Sequence, residues 1–395
     1  MTGTAAPTLQ NLDVAIAGAG PTGLALALAL RRSLGPSLRL AVFDPALARP
    51  ARPDARGSMI AADGRALLQE IGGWPDTAFP VAGLRITDSR LDDVLRPTFL
   101  ELGAPPRADG AFAHMVFDAD LRETLRRAAE AADVPLVPAA VEGFAHAPGR
   151  LQLALSTGGA ASARLLAGAD GARSPVRAAA GVAVHEIAYD QTAMVATLAH
   201  ERPHGGVAVQ HFLPGGPFAM LPLDGNRSSL VWSDRRAVAQ EMAAAGDDIF
   251  LKEVMKRAGP AYGAISLAGA RGAFPLRLLL ARSFVGRRVA LVGDAGHVVH
   301  PLAGQGFNLA LRDVSALARI VSEAARRGED FGSEEALGPY ERARRFETAS
   351  LAAATDGLYR LFTAPAARTL RDVGMGLVDR APRLKAKIVE AAAGL

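Results

Sequence analysis

The sequence predicts an α/β protein: a parallel-sheet domain interrupted by an antiparallel β-sheet domain and followed by a helical C-terminal segment. Three observations predict it. A strand, a glycine turn and a helix open the chain between Val14 and Arg32. Four β-rich runs separated by Pro, Gly, Asp and Asn turns fill residues 191–234. A compact apolar strand, Arg288–Val292, then restores the parallel style ahead of a helix over 306–324.

The elements follow in order. Val14–Ala17 is a short apolar run suited to a buried strand, and Leu24–Arg32 continues as a Leu/Ala helix. Leu38–Phe43 is a second apolar run ending at Asp44, which completes a βαβ unit. The chain is then rich in Pro, Arg and Gly until Asp118–Ala132, where leucines 121 and 125 repeat at helical spacing. Leu151–Ser156 and Arg164–Ala169 read as strands, the second ending at Asp170-Gly171. Gln191–Ala199, Val207–Leu213, Phe218–Leu223 and Ser228–Ser233 are the β-rich runs, and the tail from Glu334 to Leu395 is Ala/Leu/Arg-rich and helical.

Composition bounds the function. A chain of 395 residues holds two or three packed units and a large core. The net charge is +4, and Lys252, Lys256, Lys385 and Lys387 are the only lysines. The arginines are scattered and lack interleaved aromatics, so no nucleic-acid partner is expected. The absence of cysteine excludes disulfides, thiolate metal sites and thiol catalysis. Met1–Asn11 has neither a basic start nor an apolar run, and no stretch reaches the ~18 apolar residues of a membrane span. A cytoplasmic protein, soluble or peripheral on the inner membrane, is expected.

Three motifs carry chemistry. In Gly18-Ala19-Gly20-Pro21-Thr22-Gly23, the first glycine permits a tight turn, the second lets a pyrophosphate approach the backbone and the third lets helix pack on sheet. Asp44 is placed to accept hydrogen bonds from ribose hydroxyls. One such unit does not decide between NAD and FAD. Gly293-Asp294-Ala295-Gly296-His297 follows a buried strand, and His300 through Asn308 leads into a helix. A carboxylate there suits a polyol, and a Gly-rich helix start suits an anionic flavin edge. In Ala169-Asp170-Gly171-Ala172-Arg173-Ser174-Pro175-Val176-Arg177, two arginines could meet phosphate or a carboxylate, or the segment is a capped turn with solvated arginines.

In this order the motifs resemble the class A flavoprotein aromatic hydroxylases, whose fold is like that of p-hydroxybenzoate hydroxylase. Within that class the chain most closely resembles the ubiquinone-biosynthesis hydroxylases of the UbiH/UbiF/VisC type. The resemblance rests on Gly293-Asp294 through Leu309 to Asp313, on Tyr189-Asp190-Gln191, on Phe212–Leu223, and on Tyr340-Glu341-Arg342 with Arg344-Arg345. Ala310 stands where that family has glycine, and Gly296 where alanine is common.

The resemblance implies an FAD-binding Rossmann-like (GR2-type) domain at residues 1–75, 110–184 and 272–330. It implies a substrate-binding β-sheet domain at 76–109 and 185–271, and a helical segment at 331–395. Gly18, Gly20, Gly23 and Asp44 would hold the ADP half of FAD, with Arg56 and Arg122 near the cofactor, or else in surface salt bridges. Asp170, with Gly171, would lie near the pyrophosphate and the pyridine nucleotide, Asp294 on the ribityl-phosphate side, and Pro301, Gly304, Gln305, Gly306 and Asn308 along the flavin ring. The implied reaction uses NAD(P)H as a transient co-substrate and O2, passes through a flavin C4a-hydroperoxide, and hydroxylates a prenylated phenol.

No metal or Ser/His/Asp constellation is required. His300, Pro301 and Gln305 are the weak candidates for direct catalysis, and His297 or His300 either relays a proton or braces the loop. Phe212, Phe218, Met220 and Leu221 either wall the substrate cavity or form sheet core. Arg380, Arg383, Lys385 and Lys387, set among Leu384, Ile388 and Val389, suit a membrane-surface helix, a contact in a biosynthetic complex, or a packed helix. The alternatives are a hydroxylase of a small soluble phenol or benzoate, and a non-catalytic subunit on the same fold.

Overall fold

The computed structural model describes residues 9–50, 54, 56–88, 91, 98–103, 111–300 and 305–363. The chain opens with β1 (Leu12–Ala17), α1 (Pro21–Leu34) and β2 (Leu40–Phe43). Short elements follow: β3 (Gly57–Ile60), α2 (Ala62–Glu70), β4 (Phe79–Val81), β5 (Gly83–Asp88), β6 (Thr98–Gly103) and β7 (Ala113–Phe117). Next come α3 (Asp118–Ala131), β8 (Leu136–Val137), β9 (Val141–Ala147), β10 (Arg150–Leu155), β11 (Ala160–Gly168) and α4 (Pro175–Ala179). The central block is β12 (Val184–His200), β13 (Val207–Leu213), β14 (Gly216–Leu223), β15 (Arg227–Arg235), α5 (Arg236–Ala244), α6 (Asp247–Ala258), β16 (Ile265–Leu267) and β17 (Gly272–Ala281). The chain continues through β18 (Val285–Gly286), β19 (Val289–Leu291), β20 (His297–Val298), α7 (Gln305–Arg326) and α8 (Glu334–Thr363).

The first sheet runs β18-β19-β11-β1-β2-β8, with parallel pairing from β19 to β8 and β10 and β9 added antiparallel beside β11. Every residue from Gly23 to Leu30 is buried, because α1 lies between the sheet and α7 and has no wet face over that stretch. Each fully buried leucine there contributes roughly 2 kcal/mol. At the carboxyl ends of β1, β11 and β19, the chain turns out into the three motif loops.

The second sheet runs β20-β17-β12-β15-β14-β13-β5-β6, with β16 beside β12. One face is covered by α5 and α6: Met194, Phe218, Met220, Leu230 and Trp232 pack with Met242, Phe250 and Val254. The alternating residues face the other way, where Ala208 and Leu223 pack with Met59 and Met115 of the small sheet β3-β7-β4. The four residues grouped as cavity wall or core therefore divide. Phe218 and Met220 are core beneath the helices, while Phe212 and Leu221 sit on the opposite face.

Several expectations need correction. The second sheet is not purely antiparallel, because β5 joins β13 in parallel after a long excursion through the first domain. Strand β17 pairs with β12, so residues 272–281 belong to this sheet although the expected boundary assigned 272 onward to the first domain. Strand β12 begins at Val184, well before Gln191, and its register against β17 slips between Ala188 and Thr192. Opposite this irregularity lies Pro275, which has no N–H to give a ladder. The tail beyond Thr363, including Arg380, Arg383, Lys385 and Lys387, lies outside the described residues. No helix among the described residues is long and apolar enough to cross a membrane.

Candidate active site

The glycine loop divides its work among three positions. A Cβ on Gly18, whose φ is +108°, would lie 2.2 Å from the Ala169 carbonyl oxygen. One on Gly23 would lie 2.0 Å from the Gly18 carbonyl oxygen. Around Gly20 nothing stands within 4 Å. Gly20 also caps α1 without a side chain and the first turn holds no acid, so the helix presents open N–H groups and a positive dipole end.

Asp44 braces this loop: its Oδ2 accepts from Ala19 N at 2.8 Å and its Oδ1 from Ala46 N at 2.7 Å. Each oxygen keeps a lone pair for a further donor.

The other motif loops meet the first. Ala169-Asp170 is the backbone against which Gly18 closes, and Gly293, at φ +61°, would press a Cβ to 3.1 Å from the Thr22 side chain. The Arg177 guanidinium donates to Ala295 O at 2.8 Å and to Ala172 O at 2.9 Å, joining the second loop to the third. Arg177 is thus a brace between loops and not an open anion-binding group. Asp170 Oδ2 accepts from Val176 N at 3.0 Å, which caps α4, and Gly171 takes the left-handed backbone at φ +81°. The Asp170 Oδ1 is buried with no hydrogen-bond partner among the described residues.

Charged groups line the same region. Arg56 pairs with Asp54 at 2.7 Å, lies 3.8 Å from Asp118, and stacks over the Phe274 ring at 5.4 Å. Asp118, which the sequence reading passed over, accepts from Ser58 Oγ at 2.7 Å, and burial pushes its carboxyl above the ordinary value. The Arg56 guanidinium, its nearest partner, holds Asp54 below the ordinary value. Arg122, on α3, is within electrostatic reach of both acids, and its Nε is buried without a hydrogen-bond partner among the described residues.

Asp294 is accessible at its carboxylate yet walled by protein, and this crowding pushes its carboxyl up despite His297 and Arg56 nearby. The space between the three loops, where this acid stands open to solvent, is the cleft of the site.

Behind the third loop lies a buried network. Asp313 Oδ2 accepts from Gly293 N at 2.8 Å and from His297 Nε2 at 2.6 Å, while Oδ1 accepts from Arg344 Nε at 2.5 Å. Tyr340 donates to Leu291 O at 2.6 Å. The network makes His297 a loop brace. Asn308 is likewise spent on the backbone, accepting from Ala61 N at 2.9 Å and donating to Met59 O at 2.9 Å. It fixes the start of α7 against β3.

His300 is fully buried, donating from Nε2 to Gln191 Oε1 at 3.1 Å beside the Tyr189 ring at 5.3 Å. Gln191 Nε2 in turn donates to Gly215 O at 2.8 Å, so the irregularity in β12 ties the turn between β13 and β14 to His300. Pro301 to Gly304 and the Gln305 side chain lie outside the described residues, and Gly306 has open space around its Cα.

Burial pushes His300 down to about 4 from its ordinary 6.5. The unfolded chain takes up a proton between those values while the folded one does not. Stability from this residue is therefore complete above pH 6.5 and is lost as pH falls towards 4, by ~3 kcal/mol in all. Urea unfolding of wild type and His300→Gln should diverge by that amount between pH 7 and 4. Parallel profiles would remove this assignment. The variant comparison is needed because the raised carboxyls of Asp118, Asp170 and Asp294 oppose the trend, favouring the folded state as pH falls.

A flavin dinucleotide fits this donor set. The cleft offers an open glycine cradle, an uncapped helix end, an accessible walled acid and two orphaned polar atoms.

Comparison with known proteins agrees. A family described as FAD binding domain matches residues 144–354. The chain is 39% identical to the ubiquinone hydroxylase UbiL of Rhodospirillum rubrum over 97% of its own length and 89% of that protein's. It is 34% identical to the 3-demethoxyubiquinol 3-hydroxylase of Escherichia coli over 98% of the chain and 100% of the relative. Among solved structures, the p-nitrophenol 4-monooxygenase PnpA of Pseudomonas putida superposes with a TM-score of 0.78 at 17% identity, covering 97% of this chain and 99% of that one, which shows a shared fold.

Proposed function

The chain belongs to the FAD-dependent ubiquinone-biosynthesis hydroxylases, a family of flavoprotein monooxygenases, and from that premise we propose that it hydroxylates the ring of a polyprenylated phenol using NAD(P)H and O2. The observation that carries the reading is the meeting of loops 18–23, 169–177 and 293–295 beside the solvent-exposed acid Asp294.

The Gly18–Gly23 backbone and the α1 N-terminus would hold the pyrophosphate, Asp44 the ribose and Asp294 the ribityl side. FAD, when bound, supplies the redox chemistry and the activation of oxygen. The chain's own residues orient and exclude. The Asp313 network fixes the Gly293–Asp294 turn, and the Gln191–His300 link holds His300 against β12. A buried, neutral His300 keeps positive charge out of that wall at neutral pH. Substrate with a prenyl tail requires contact with a membrane or with a lipid-carrying partner.

The purified protein should be yellow, and its NAD(P)H oxidation under air should rise with 2-geranylphenol, with labelled O2 entering the ring. Protein that cannot take up FAD would sink the reading, and stimulation by small benzoates alone would replace its substrate. The Asp294 carboxylate accepts no hydrogen bond from the described residues. Asp294→Asn should therefore fold normally yet bind FAD about 10-fold more weakly, from the loss of a charge-assisted hydrogen bond. Unchanged retention in equilibrium dialysis would dissociate Asp294 from the cofactor.

A further inference from the structure

The face of the second sheet turned away from α5 and α6 carries a row of residues in register. Phe274 pairs with Ala193 and Ala193 with Ser233 across β17, β12 and β15. One step beyond the Phe218–Trp232 pair, Pro217 continues the row to Phe212 on β13. Phe274 remains 40% exposed beneath Arg56, at the edge of the cleft that holds Asp294. The middle of the row, Ala193, Ser233 and Pro217, is small and buried between two phenylalanines.

Within that row Ser233 is 1% exposed, and its Oγ has no hydrogen-bond partner among the described residues. Its backbone adjoins Gln191: the Ser233 carbonyl oxygen and Gln191 Nε2 lie 2.6 and 2.7 Å from one point, the Cβ position of Gly216. Gln191 is the residue that holds His300. A buried hydroxyl with no partner is destabilising unless something supplies one.

We infer that Ser233 is a specificity-determining residue whose hydroxyl hydrogen-bonds a ring oxygen of the aromatic substrate, bound against the Ala193–Ser233–Pro217 row. This rests on the aromatic-hydroxylase reading. It makes two opposite demands on one substitution: removing the hydroxyl should stabilise the ligand-free fold and weaken recognition of a hydroxylated ring. A serine with a purely structural role would do neither.

The test uses FAD-loaded wild type, Ser233→Ala and Ser233→Thr, titrated with 2-geranylphenol and with geranylbenzene, which lacks the hydroxyl, while bound-flavin absorbance is followed. Wild type and Ser233→Thr should prefer the phenol by about 10-fold. Ser233→Ala should bind the two alike, with FAD content retained and Tm raised. An alanine variant that keeps the preference, or that loses FAD or Tm, overturns the assignment alone. Wild type that binds neither probe overturns it together with the substrate reading.

Discussion

Gly23→Ala is expected to destabilise the protein by about 3 kcal/mol or more and to abolish FAD retention, whereas Gly20→Ala should abolish retention alone. The added carbon at position 23 would stand 2.0 Å from the Gly18 carbonyl oxygen and 3.3 Å from the Ala169 side chain, both parts of the β1–β11 frame. Neither neighbour is a flexible tip, so α1 must be pushed off the sheet it covers. Position 20 has open space and ordinary backbone, φ −73°, so alanine there fits the polypeptide and occupies only what the phosphates need. Its stability should change by no more than about 0.5 kcal/mol. Thermal unfolding of the flavin-free proteins, read beside FAD retention, separates the two. A Gly23 variant with wild-type Tm would show that the loop is slack, and the division of labour among the glycines would fall.

That division was legible in the sequence because each glycine answers a local demand. The same holds for β1, α1 and β2, where apolar runs are bounded by Gly18 and Asp44. What escaped was non-local. Strands β3, β4 and β7 are three to five residues long, in a stretch rich in Arg and Pro, and acquire meaning only when paired. Helices α5 and α6 were missed because nothing in their own sequence names the sheet face they cover. Among site residues, the motif acids Asp44, Asp170 and Asp294 stood at strand ends and were readable. Asp118 read as an ordinary helix start, and the orphaned hydroxyl of Ser233 read as an ordinary strand serine. Asn308 lay in a recognisable motif, yet its amide serves Met59 and Ala61, nearly 250 positions earlier. Sequence shows that a residue type is required and not which neighbour requires it.

The Asp313–Arg344 pair supplies the second large effect. Asp313 is 0% exposed and Arg344 3% exposed, and the carboxylate also receives the Gly293 N–H and His297. Asp313→Ala should cost ~3–5 kcal/mol, because it leaves a buried guanidinium with Glu347 as its remaining carboxylate, and two further donors without an acceptor. Replacing both partners, as Asp313→Leu with Arg344→Met, removes the uncompensated charge and should recover part of that loss. FAD affinity should not recover with it. The Gly293 N–H that holds the turn beside Asp294 has no acceptor in either variant, so the third loop is released even when the core is repacked. Urea unfolding and FAD dialysis on the single and double variants decide the matter. Joint recovery would mean that Asp313 acts through stability alone, whereas recovered stability with weak FAD binding would mean that the buried acid positions the flavin-facing loop.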